Sequence, residues 1–82
     1  MNYQKKNDMD VYFSKKSLSH FKVDENNNRI VICLVTGEEL IVDAQLWENL
    51  REWTDTLRKM LREYETYYGV VRYDTNNRKL YF

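Results

Sequence analysis

Residues Asp43 to Gly69 read DAQLWENLREWTDTLRKMLREYETYYG, and this stretch decides the fold. Leu46, Leu50, Trp53, Leu57, Met60, Tyr64 and Tyr67 follow one another at alternating steps of four and three, the repeat of one face of an α-helix. Trp47, Leu61 and Tyr68 make a second row beside them, so the apolar stripe is wide. Glu48, Arg51, Glu52, Asp55, Arg58, Lys59, Arg62 and Glu63 fill the other face, and Arg51–Asp55, Asp55–Lys59 and Lys59–Glu63 are opposite charges one turn apart. Asp43 has the carboxylate of a good N-cap. Gly69 supplies a residue for the left-handed stop. Acids lead and bases follow, as the helix dipole favours. The spacing predicts a helix over Ala44–Tyr68, about 37 Å long at ~1.5 Å per residue.

Upstream the period changes from helical to extended. Arg29 to Val35 is almost wholly aliphatic, which is a buried strand, and Thr36-Gly37 turns it into a return strand over Glu38–Val42. Phe21 and Val23 alternate with Lys22 and Asp24, and Asn26-Asn27-Asn28 is a hairpin turn, since asparagine tolerates positive φ. Val11 and Phe13 flank Tyr12 in a short strand that Lys15-Lys16-Ser17 breaks. Downstream, Val70–Tyr73 and Lys79–Phe82 form a hairpin around Asp74-Thr75-Asn76-Asn77. Phe21–Asn27 aligns without gaps to Val71–Asn77, an echo that shared turn chemistry explains better than duplication does. Residues 1–8 are polar and without period, a flexible tail. The fold expected for residues 9–82 is one α+β domain: an antiparallel sheet of four to six strands packed on one long amphipathic helix.

Composition excludes several function classes. The chain has 82 residues, too few for two cores. Thirteen bases balance thirteen acids, which removes the plain electrostatic case for binding nucleic acid or an anionic membrane. A hydrophobic fraction of 43% suits a folded chain. No window approaches ~18 apolar residues. The N-terminal stretch has no apolar core of a signal peptide, and Asn2 stands where myristoylation needs glycine. The expected location is cytoplasmic.

No motif points to catalysis. Asp24-Glu25-Asn26-Asn27-Asn28 resembles the start of a calcium loop, but Arg29 and Val35 occupy the places of its required glycine and glutamate. Cys33 lies between Ile32 and Leu34 and reads as an apolar filler, not as a thiolate with His20 as its base. Glu38, Glu39, Asp43, Glu48 and Glu52 have no nearby histidine or phosphate loop. Neither cofactor nor metal is expected.

Charge is unevenly laid out. Residues 1–22 carry +3, residues 24–55 carry −6 and residues 56–82 carry +3. An acidic middle suits a basic partner, and it also reads as dipole complementarity with soluble turns. The candidate partner-binding acids are Glu38, Glu39, Glu48 and Glu52. A second candidate surface is apolar. Ile30, Ile32 and Leu34 point one way and Val31, Cys33 and Val35 the other, while one helix covers only one sheet face. Tyr12, Val31, Ile41 and Tyr81 are expected on the opposite face, open as an interface or covered by the N-terminal segment. Tyrosines interleaved with Arg72, Arg78 and Lys79 fit protein contact or base stacking.

With these residues in place, Val35 to Phe82 resembles a family of small bacterial domains of unknown function. They are built as strand, glycine turn, strand, tryptophan-led helix and closing strands, and the matching residues are Gly37, Leu40, Val42, Trp47 and Leu50. That family often has proline before the tryptophan, where this chain has Ala44 and Gln45. The resemblance implies a fold and no activity. In style, short and rich in Asn, Lys and Tyr without proline, the chain is similar to small phage and mobile-element proteins. That likeness implies an anti-defence role of the anti-CRISPR kind. The expected function is a non-enzymatic inhibitor or regulator that blocks a host protein or nucleoprotein complex, such as an immune nuclease, by steric occlusion. The alternative is a small nucleic-acid-binding or transcription-regulating module, and a homodimer is a third arrangement.

Overall fold

The structure is a computed structural model that describes residues 10–63 and 68–82. In chain order it has β1 (Asp10–Ser14), a 3-10 turn at Lys15–Ser17, β2 (Leu18–Asp24), a second 3-10 turn at Glu25–Asn27, β3 (Arg29–Leu34), β4 (Glu39–Asp43), α1 (Trp47–Arg62), β5 (Val70–Asp74) and β6 (Lys79–Tyr81). The α+β class holds, but the single sheet does not. The strands form two three-stranded antiparallel sheets, ordered β1-β5-β6 and β2-β3-β4. The reason lies at Lys15–Ser17. There the chain winds through one tight turn, with Ser14 Oγ accepting from the Lys16 N–H at 3.3 Å. It leaves the first sheet and enters the second, so β1 and β2 pair with different neighbours.

Both sheets and the helix share one core. Phe13, Val71, Tyr73 and Leu80 come from the first sheet, Leu18, Ile30, Ile32 and Val42 from the second, and Leu50, Trp53, Leu57 and Met60 from α1. Strand alternation explains the choice: Ile30 and Ile32 point inward with Val42, while Val31 and Ile41 sit on the other face.

The helix is shorter than its apolar repeat. It starts at Trp47, and Asp43 is the last residue of β4 rather than an N-cap. Asp43 is held extended because Arg29 Nε donates to its carboxylate at 2.9 Å, and the Ala44 N–H then donates to the Asn28 carbonyl at 2.8 Å. Leu46 and Trp47 consequently stay exposed, at 58% and 48%. Asp55 pairs with Arg58 at 3.1 Å, and Arg51 lies over the Trp47 ring. The helix ends at Arg62; Tyr64 and Tyr67, like the tail over residues 1–8, lie outside the described residues.

Two hairpin turns use one scheme. Asn27 Nδ2 donates to Asp24 and Asn77 Nδ2 to Asp74, both at 2.8 Å, and the next residues, Asn28 and Arg78, take φ of 50° and 54°. The sequence echo is thus carried by turn chemistry. The Asn77 side chain and backbone hold the Asp74 carboxyl below its ordinary range.

Candidate functional site

The register fixes what each outer sheet face displays. Across the first sheet, Tyr12, Arg72 and Tyr81 stand side by side. The Arg72 guanidinium lies 4.1 Å from the Tyr81 ring centroid and 3.5 Å from the Asp10 carboxylate, which also accepts from the Tyr12 hydroxyl at 3.5 Å. Across the second sheet, Lys22, Val31 and Ile41 form one row and His20, Cys33 and Glu39 the next. Tyr12 and Tyr81 therefore share a sheet that Val31 and Ile41 do not, and the four make no single apolar patch. The split between the sheets, unseen in the alternation pattern, separates them.

A cleft of about 160 Å³ opens between β1 and the β3–β4 hairpin, lined by Val11, Tyr12, Phe13, Leu34, Glu38, Glu39 and Leu40. Its floor is apolar because Val11 and Phe13 alternate inward on β1, and Leu34 and Leu40 do so on β3 and β4. Its rim is acidic. Glu38 accepts from Thr36 Oγ1 at 3.1 Å. Glu39 lies 4.0 Å from Lys22 Nζ and accepts from the Cys33 thiol at 3.8 Å. The Gly37 turn, at φ 97°, sets these glutamates at the strand start.

Among the candidate acids, Glu38 and Glu39 reach this cleft beside Tyr12. Glu48 and Glu52 are exposed on α1 and do not line it. His20 stands opposite Cys33 in the register, but its Nδ1 is 3.1 Å from Ser19 Oγ and the buried thiol points to Glu39. No group of three or more metal-ligating side chains gathers among the described residues. No helix among them is long and apolar enough to cross a membrane.

One polar link has no signature in the sequence. The Tyr73 hydroxyl accepts from the Asp43 N–H at 2.9 Å and donates to the Asp43 carbonyl at 3.2 Å, joining the first sheet to the end of β4. Burial pushes the Tyr73 phenol above its ordinary value, against the backbone hydrogen bond. The same Asp43 raises the Arg29 guanidinium by hydrogen bonding. Tyr73 alternates with Arg72 and could be placed inward from sequence, but its partner lies 30 residues away and left no local signal.

Comparison with protein-family models, curated proteins and solved structures finds no match for the chain.

Proposed function

We propose that this protein is a non-enzymatic binding protein that occludes a partner protein through the cleft between β1 and the β3–β4 hairpin. The observation that carries the reading is the cleft's construction: an apolar floor of Val11, Phe13, Leu34 and Leu40 under a rim of Glu38 and Glu39. An apolar anchor desolvated in such a floor supplies binding energy. Charges at the rim speed encounter with a basic surface. The likeness in style to phage and mobile-element proteins extends this to a host target such as an immune nuclease.

The alternative, a nucleic-acid module, has one supporting feature, the Tyr12–Arg72–Tyr81 row, in which two exposed tyrosines flank a half-buried arginine. It is weakened by Asp10, which sits against Arg72. Affinity capture from a bacterial lysate, with and without nuclease, separates the two. A protein retained after nuclease and lost with the double variant Glu38→Lys/Glu39→Lys supports occlusion through the cleft. Capture that disappears on nuclease treatment supports the nucleic-acid module.

A further inference from the structure

We propose that the partner is held by strand addition: an extended segment alternating basic and apolar residues pairs with the outward edge of β4 at Glu39 and Ile41. This rests on the protein-binding reading above and specifies how the binding is done.

Backbone parity fixes which groups of β4 are free to pair. The Leu34 N–H donates to the Glu38 carbonyl at 2.9 Å and the Ala44 N–H to the Asn28 carbonyl at 2.8 Å, with Ile32 opposite Leu40 and Ile30 opposite Val42 between them. Alternate residues of a strand present their N–H and C=O to opposite sides. Glu38, Leu40, Val42 and Ala44 thus bond β3, and Glu39, Ile41 and Asp43 turn theirs away. At Asp43 both outward groups are taken by the Tyr73 hydroxyl. At Glu39 and Ile41 they have no hydrogen-bond partner among the described residues. An edge of that kind is a template for another strand.

The side chains along the edge select the occupant. Glu39 and Asp43 lie on the outer face of β4 with Ile41 between them, and Ile41 is 51% exposed. On the inner face, Leu40 borders the cleft. An added strand has the same period of two, so its outward residue beside Glu39 meets that carboxylate, Asp43 being already paired with Arg29, and its inward residues meet the apolar floor. Lysine or arginine outward and an aliphatic residue inward is the complementary pattern. The cleft's 160 Å³ is comparable to the ~150 Å³ cavities that accept one benzene-sized group. A second copy of this chain fits poorly. Antiparallel pairing centred on Ile41 sets Glu39 of one copy opposite Asp43 of the other, where the Tyr73 hydroxyl already holds both outward backbone groups, so the ladder between two copies cannot extend past Ile41.

The test selects binders from a phage-displayed library of random linear peptides. Enriched sequences should alternate basic and apolar residues, and a synthetic copy should slow hydrogen exchange at the Glu39 and Ile41 amides of the unmodified protein. Ile41→Pro removes an N–H that β3 does not use, a substitution edge strands tolerate, and should weaken the peptide about tenfold through the lost hydrogen bond. No enrichment, enriched peptides without basic residues, or binding that leaves both amides exchanging freely overturns the proposal. The exchange readout decides even if Ile41→Pro fails to fold. A captured protein lost with Glu38→Lys/Glu39→Lys but retained with folded Ile41→Pro leaves the occlusion reading standing and removes strand addition alone. A captured protein indifferent to both removes the cleft.

Discussion

Tyr73 and Asp43 show how much one hydroxyl can decide. Removing it in Tyr73→Phe leaves the Asp43 N–H and C=O without their partner, which costs about 1–3 kcal/mol when such groups stay shielded from water. Urea titration of the two proteins measures this directly, and equal midpoints would show that water replaces the phenol. The phenol also sets an alkaline limit. Its folded pKa is raised, so the unfolded chain releases this proton first and stability falls as pH climbs past ~10. Below that pH the contribution is fully present. The wild type should therefore lose stability more steeply than Tyr73→Phe in alkaline titration. Among the acids, Glu39→Lys should slow association with a basic partner while Glu48→Lys, away from the cleft, leaves it unchanged. Surface plasmon resonance at two salt concentrations reads both, because steering acts on the on-rate. Equal slowing by the two substitutions would mean that the whole acidic surface steers and the cleft does not.

At the level of elements, the two tryptophans of α1 divide the helix into a packed part and an open end. Trp53 is 5% exposed and Trp47 48%. Trp53→Ala should cost about 3–5 kcal/mol, the usual loss for a large core aromatic. Trp47→Ala should change stability by no more than ~0.5 kcal/mol. Thermal melts followed by circular dichroism compare the two. A larger loss from Trp47→Ala would move the core to the helix start. The helix was legible because Leu50, Trp53, Leu57 and Met60 carry its repeat without interruption. Its start was not, because the apolar pattern runs on through Leu46 while Asp43 is claimed by Arg29, 14 residues earlier. Most strand boundaries fall within a residue of the observed ones, since Asn28, Gly37 and Asp74 mark turns by local chemistry, but β2 starts at Leu18, three residues before the alternation that begins at Phe21. The cleft was half legible: Glu38, Glu39 and Tyr12 stand out by type, but Val11, Phe13 and Leu34 read as ordinary core. Only the division into two sheets brings them beside the acids.

The whole molecule unfolds as one unit if the two sheets depend on their common core. Val71→Ala in the first sheet and Ile32→Ala in the second, both at 0% exposure, should each shift a single transition seen alike by tryptophan fluorescence and far-ultraviolet circular dichroism. Separate transitions would make the sheets independent. Exposed apolar side chains are spread over several faces, among them Tyr12, Val35, Ile41, Leu46 and Val70. Sedimentation should accordingly give a monomer. A dimer dispersed by Tyr81→Lys would move the binding surface to the outer face of the first sheet.

The pairing of β1 with β5 also imposes an order in time. Asp10 stands opposite Asp74, so the two strands meet across nearly the whole described chain, whereas β2, β3 and β4 are joined by short turns. Loops that long close slowly and late. The second sheet and its helix are the natural nucleus, and β1 remains an unmatched strand until β5 and β6 have been made and have folded back. Chevron kinetics should show Ile32→Ala slowing folding and Phe13→Ala mainly hastening unfolding. For that interval the edge later shielded by β5 is open to any other strand in the cell, which makes the newly made chain, more than the finished one, the vulnerable form.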